Sequence, residues 1–153
     1  MPRFRRTRPA PTVRGGYAAY RPHVRSDFEK TCAYCLLQEL WAGGEENFEL
    51  DHFKPRNPFT ALIKDFYNLY WSCHPCNHIK WGYWPSEELQ EQGIGFVDLC
   101  QDDFETHFVE KDDGTWEGLT PSARYTIDVL NLNRPHLKEI RRRIRDLGES
   151  AAH

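Results

Sequence analysis

Two Cys-x-x-Cys pairs, Cys32/Cys35 and Cys73/Cys76, enclose a segment of only 37 residues. So short an insert has no core of its own, and four thiols in two knuckles are the ligand set of a closed tetrahedral zinc site. The fold must bring the two knuckles to one point, and whatever lies between them is held against that point. A redox role suits a single Cys-x-x-Cys; two matched pairs make it redundant. Where thiols stay reduced, as in the cytosol, paired knuckles favour zinc over disulfides. Cys100, the fifth cysteine, is expected as a buried small hydrophobe.

At 153 residues the chain is expected to form one domain with arms. Aromatic residues at 14% supply a core, while 28% charge and a mean hydropathy of -0.75 describe a soluble protein. No apolar run approaches the roughly 20 residues needed to cross a membrane. The first residues, Met1-Pro2-Arg3-Phe4-Arg5-Arg6, are basic but lack the apolar stretch of a signal peptide. The expected location is cytoplasmic, with no membrane partner.

The net charge of -3 speaks against a nucleic-acid partner until it is mapped. Residues 1–25 hold seven arginines and no acid, and residues 138–145 hold Lys138, Arg141, Arg142, Arg143 and Arg145 against Glu139 alone. The stretch 26–136 carries 8 basic and 20 acidic residues. Basic arms on an acidic body can track a phosphate backbone, because the local field controls encounter more than the total does. For the N-terminal arm alone, a solubilising tail is the alternative.

The chain divides into four stretches. Residues 1–25, rich in Pro and Gly, read as a basic extended arm. Residues 26–84 hold the cysteines and the chemistry. Residues 85–119 form an acidic hairpin and loop region, with short strands at Gly95–Leu99 and Thr106–Val109 and a turn at Asp112-Asp113-Gly114. Residues 120–148 form a helical extension of the same domain. Thr120 caps one helix with Pro121 inside it, and Asn133 caps a second with Pro135 inside. Leu137, Ile140, Ile144 and Leu147 make the apolar stripe of the second helix, with its basic residues mostly off that stripe, and Gly148 ends it. His107, His136 and His153 show no partner pattern.

Within the core, Phe48–Phe53 alternates apolar and polar residues and reads as a strand ending at Asp51 and His52. Asn68–Ser72 reads as a second strand leading into Cys73-His74-Pro75-Cys76, and a helix is expected from about Pro75 through Trp81. The Asp51 carboxylate and the Asn77 carbonyl are hard oxygen ligands suited to Mg²⁺. His52 can take a proton at neutral pH, since free imidazole titrates near pH 6.5. Lys80 follows Asn77 by three residues, on the same helical face, and can pair with a phosphate. His74 is expected to point to solvent. His78 lies roughly 100° around the helix from Asn77, so the two should not share one metal. Trp71, Trp81, Tyr83 and Trp84 read as core around the zinc in preference to base-stacking platforms.

The string Cys32-x-x-Cys35, Asp51-His52, Asn68-Leu69, Cys73-x-x-Cys76-Asn77-x-x-Lys80 resembles the HNH endonuclease family, in particular its zinc-containing bacterial branch found in mobile elements and anti-phage defence. The resemblance covers residues 27–82. It implies a ββα-metal core, with His52 as general base and Asn68 ordering the loop that positions it. It also implies a divalent cation, Mg²⁺ or Mn²⁺, on Asp51 and Asn77. Asn77 stands where the family usually has His, which makes the chain an H-N-N variant with a neutral amide oxygen in place of imidazole.

The expected fold is therefore α+β: a ββα-metal core stapled by a four-cysteine zinc site, a small β-hairpin region and two C-terminal helices. The expected function is metal-dependent cleavage of DNA, with catalytic roles for His52, Asn68 and Lys80. DNA is contacted through the basic arms and Lys80 or Arg56. RNA stays open as a substrate, as does a partner protein in a defence or mobile-element system. The alternative is a catalytically silent zinc-ribbon module that binds nucleic acid or a partner protein.

Overall fold

Alternating Phe48, Leu50 and His52 against Glu49 and Asp51 gives β1 (Phe48–His52), which pairs antiparallel with β2 (Leu69–Cys73). The register sets Phe48 opposite Cys73, Asp51 opposite Tyr70 and His52 opposite Leu69. Every residue of β2 is buried, as its run of Leu, Tyr and Trp requires. The computed structural model describes residues 1–151, with side chains described through residue 148; His153 lies outside the described residues. Among these, six helices and two small antiparallel sheets make an α+β chain in two compact units.

The first unit comprises Met1–Trp84 with Asp98–Asp103. Besides β1 and β2 it holds α1 (Arg21–Asp27) and α2 (His74–Lys80), so that two paired strands are followed directly by a helix. Pro75 sits in the first turn of α2, where its missing N–H costs no hydrogen bond. The core gathers on β2. Trp71, fully buried, stacks on Phe48 at 5.7 Å between ring centroids, and its indole N–H donates to Glu39 at 3.0 Å. Glu39 is in turn gripped by both ends of the Arg25 guanidinium, at 2.9 and 2.7 Å. Burial pushes the Glu39 carboxyl up, but the bonds from Arg25 and Trp71 outweigh it and hold the group below its ordinary value.

The N-terminal stretch is not an extended arm. Phe4 is 2% exposed and packs on Phe28 at 4.8 Å, and its backbone N–H donates to Leu99 O. Arg6 pairs with Asp27 at 3.1 Å, both side chains being 5% exposed, and donates to the carbonyl of Phe66 at 3.0 Å. Arg3 pairs with Glu29, Arg21 donates to the carbonyls of Glu45 and Phe48, and Arg25 holds Glu39. Much of the arm's charge is thus spent on the acidic body that it covers. The pattern of Pro and Arg concealed this because the anchor is a single Phe and a single buried ion pair. Removing one partner of a buried pair strands the other, at a cost of about 3–5 kcal/mol. Arg6→Ala is therefore expected to destabilise the protein by that amount in urea unfolding; a loss of less than about 1 kcal/mol, the size of an exposed pair, would contradict the buried arrangement.

The second unit comprises Pro85–Val97 and Phe104–His153. It contains α3 (Glu87–Glu91), α4 (Phe104–His107), a hairpin of β3 (Phe108–Glu110) and β4 (Trp116–Gly118), α5 (Pro121–Leu130) and α6 (Pro135–Ala151). Thr120 caps α5 by accepting from the Ala123 N–H. The segment 95–99 is not a strand: Gly95 and Val97 donate to the hydroxyls of Ser122 and Thr126 in place of a ladder. Thr106 and His107 belong to α4, and only Phe108 and Val109 of that expected strand enter β3. Asn133 does not cap α6; its amide brackets the N–H and C=O of Trp116 at 2.7 and 2.8 Å. Gly148 does not end α6, which runs on to Ala151.

The basic run of α6 is partly drawn into the fold, with Arg142 and Arg143 left exposed. Arg141 is 4% exposed, lies 3.9 Å over the Trp116 ring and donates to the Leu132 carbonyl at 2.7 Å. Arg145 pairs with Glu110, and Arg142 and Arg143 share Glu139. Leu137 is buried, whereas Ile144 and Leu147 further along the stripe are exposed. No described helix is long and apolar enough to cross a membrane.

Candidate functional site

The first knuckle is a tight hairpin. Cys32 N–H donates to Leu37 O at 2.9 Å, Leu36 N–H returns to Cys32 O at 3.1 Å, and Leu36 takes a left-handed φ of +62° to make the turn. The Ala33 N–H donates to Trp71 O at 2.7 Å, which ties this hairpin alongside β2. Cys73 ends β2 and Cys76 lies in the first turn of α2, so both knuckles converge. All four thiols are buried, with their sulfurs within 4.8 Å of one another, and Cys35 and Cys73 are 3.8 Å apart. Zinc–sulfur bonds of about 2.3 Å at tetrahedral angles require sulfurs about 3.8 Å apart. Four buried cysteines thus form a cluster that can hold a metal ion such as zinc.

The protonation of the cluster agrees with that chemistry. Burial pushes the Cys32 thiol up, but hydrogen bonds from Cys35, Cys73 and Cys76 outweigh it and carry it well below its ordinary value. Cys35 and Cys73 are driven up, chiefly by their hydrogen bonds to Cys32. A bound cation would favour the thiolate form of the cluster. Cys100 stands apart, half-buried, its thiol pushed up to about 12 chiefly by burial.

Beside the cluster, β1 and α2 flank a cleft of about 480 Å³ lined by Asp51, His52, Arg56, Asn77 and Glu49, among others. Asp51 is 5% exposed. Its Oδ2 accepts from the Tyr34 hydroxyl and pairs with the Lys80 ammonium at 3.1 Å. Both contacts fall on Oδ2, so Oδ1 carries no hydrogen bond from the described residues. Burial raises the Asp51 carboxyl above its ordinary range, and Lys80 and Tyr34 only partly offset it. Tyr34 is itself held far up by burial and by Asp51, and so stays a neutral donor. Lys80 does not reach out to a phosphate: it is fully buried, and its second bond goes to the His52 carbonyl at 2.9 Å. Its position on the Asn77 face of α2 points it at β1, where a buried carboxylate takes the charge.

His52 is 9% exposed and fixed on both sides. Its Nε2 lies 2.9 Å from the Ile63 carbonyl, and the Tyr17 ring packs edge-on at 4.8 Å. A carbonyl can only accept, so Nε2 carries the proton and Nδ1 holds the lone pair. Burial lowers the His52 pKa from its ordinary 6.5, which keeps the ring neutral at pH 7. Asn68, also buried, sits behind the cleft, where its Oδ1 accepts from the Lys54 N–H at 2.9 Å. Its Nδ2 donates to the carbonyls of Lys54 at 3.0 Å and Leu62 at 3.4 Å. One amide thereby closes the loop that carries Ile63, the partner of His52, so Asn68 is a positioning residue.

Asn77 faces Glu49 across the cleft and donates its amide nitrogen to Glu49 Oε2, so that its carbonyl oxygen is not used in that bond. His74 pairs with the other oxygen of Glu49 and stacks at 5.9 Å on His78; both imidazoles line the cleft. Arg56 at the rim donates to the Tyr17 hydroxyl at 2.6 Å. Glu49, Tyr34 and Tyr17 were not singled out by sequence reasoning. Glu49 alone had a signal, since it lies two residues before Asp51 and so shares its strand face. Tyr17 and Tyr34 come from distant segments and had none. Trp71 is core, but Trp81 and Tyr83 are exposed and do not form a core around the cysteine cluster. Compared with known proteins, the chain matches no family model and no curated relative.

Proposed function

We propose that the cysteine cluster holds a structural zinc ion and that the adjoining cleft is the active site of an HNH-type endonuclease with a ββα-metal core. The observation that carries this reading is the orientation of His52. A neutral imidazole tied through Nε2 to Ile63 presents Nδ1 as a base, directly after Asp51 and in one cleft with Asn77. The donor set fits a hard cation, since Asp51, Glu49 and Asn77 all offer oxygen. Asp51 and Asn77 would hold Mg²⁺ or Mn²⁺, and when bound the cation supplies neutralisation of charge at the phosphate.

The chain's own residues do the rest. His52 Nδ1 accepts a proton from the attacking water as its oxygen bonds to phosphorus, and the bond from phosphorus to the leaving sugar oxygen breaks. That oxygen takes its proton from solvent. Asn68 holds the loop that sets the imidazole. Lys80 and Tyr34 fix the Asp51 carboxylate through Oδ2 and so aim Oδ1, a positioning role in place of a phosphate clamp. Arg56 supplies the positive charge at the rim for the strand. DNA is the proposed substrate, and an RNA arm in the same assay tests the alternative sugar.

Supercoiled plasmid is expected to be nicked with Mg²⁺ or Mn²⁺ and left intact with EDTA. Asn77→Ala should raise the Mg²⁺ concentration for half-maximal nicking by about 10–100-fold, the range seen when support for a bound metal is removed. An unchanged Mg²⁺ response would remove Asn77 from the site.

A further inference from the structure

α2 ends by turning two aromatic rings into water. Trp81 is 77% exposed and Tyr83 is 61% exposed. Rings left mostly in solvent add little to the hydrophobic stabilisation of the fold. The backbone at Trp81 is also strained, with φ +45° and ψ −125°, a region that glycine enters freely and a residue with a Cβ enters at a cost. The turn is nevertheless held, because Trp81 N–H donates to Asn77 O and Tyr83 N–H to Lys80 O, both at 2.9 Å. An exposed indole kept in a strained and well-bonded turn calls for a reason outside folding.

The surroundings supply one. An open groove of about 900 Å³ is lined by Asn57, His78, Ile79, Trp81, Gly82 and Tyr83. Asn57, His78, Trp81 and Gly82 also line the cleft that carries Asp51 and His52, so groove and cleft are continuous. The groove holds no Lys, Arg, Asp or Glu, whereas Arg56 stands in the cleft beside Asn57. Charge for a phosphate is thus on one side and uncharged ring faces on the other.

We propose that Trp81 and Tyr83 form a stacking platform for unpaired bases next to the scissile phosphate. Building on the nuclease reading of the cleft, this makes its substrate a nucleic acid that is single-stranded at that point. A duplex stacks its bases on one another and offers phosphates and edges; only an unpaired base has a free ring face for Trp81. Such stacking accepts any base, because every base has a π face.

The test measures binding by fluorescence anisotropy on the full chain, without added divalent metal. The probes are labelled oligodeoxyuridylate, oligouridylate and a blunt DNA duplex of equal length. Single strands are expected to bind more tightly than the duplex. Trp81→Ala and Tyr83→Ala should each weaken single-strand binding by about 5–150-fold and leave duplex binding unchanged. Trp81→Phe should retain most of the affinity, and thermal unfolding of all three variants should match wild type, since both rings are exposed. A response to only one of the two single strands names the sugar within the proposal. Unaltered single-strand affinity in both alanine variants, or an equal loss on the duplex, overturns it. Plasmid nicking with Mg²⁺ is read separately. Nicking by a wild type whose binding ignores Trp81 and Tyr83 overturns the platform alone. Stacking without nicking under any divalent metal overturns the nuclease reading alone.

Discussion

Cys35→Ala is expected to unfold the first unit. Structural zinc contributes about 10–16 kcal/mol of apparent folding free energy in small metal domains, and whole domains are stable by only about 5–15 kcal/mol. The cluster lies where the 32–35 hairpin meets the end of β2 and the first turn of α2. In the Cys35→Ala variant, losing the ion would leave three buried thiols beside the left-handed turn at Leu36. Wild type should carry one zinc per chain by elemental analysis. Removal of the ion with a strong chelator should abolish the near-ultraviolet dichroism of Trp71, which is packed against Phe48. A folded wild type free of zinc, or a fully folded Cys35→Ala, would show that the thiols are only core residues.

The parts of the fold that were legible in the sequence are those set by local rules. Alternation gave β1 and the apolar aromatic run gave β2; Thr120 and Pro121 gave the start of α5; Asp112-Asp113-Gly114 gave the hairpin turn. The convergence of the cysteines followed from ligand chemistry. What could not be read depended on pairing across long separations. Arg6 meets Asp27, Arg141 meets Trp116 and Lys80 meets Asp51. In each case a charged side chain that sequence alone assigns to solvent is buried against a specific partner distant in the chain. Asn133 failed as a cap for the same reason, since the backbone of Trp116 competes for its amide. Within the cleft, the adjacency of Asp51 and His52 was legible, but the oxygen of Asp51 that stays free and the imidazole nitrogen that carries the lone pair were not. Those depend on Tyr34, Lys80 and Ile63, which only the tertiary fold brings close.

Replacing His52 is the second large effect expected. The imidazole Nδ1 acts on water in the reaction and touches little of the bound substrate, so His52→Ala should spare nucleic-acid affinity and remove turnover. Loss of a general base costs about 10²–10⁴ in rate. The ring is packed by Tyr17 and bonded to Ile63. Its deletion therefore also carries a stability cost of about 1–3 kcal/mol, which unfolding curves must show to be survived before rates are compared. His52→Asn, which keeps a polar side chain but has no basic nitrogen, serves as a second variant, and the same unfolding curves read whether it folds. The most direct measurement is the initial rate of nicking of supercoiled plasmid with Mg²⁺ for wild type, His52→Ala and His52→Asn, with EDTA as the blank. The predicted result is nicking by wild type alone, with both variants lower by about 10²–10⁴ and all three binding DNA alike. Equal rates in all three, or no nicking by a zinc-loaded, folded wild type under Mg²⁺ or Mn²⁺, would contradict the assignment of this cleft as a nuclease site.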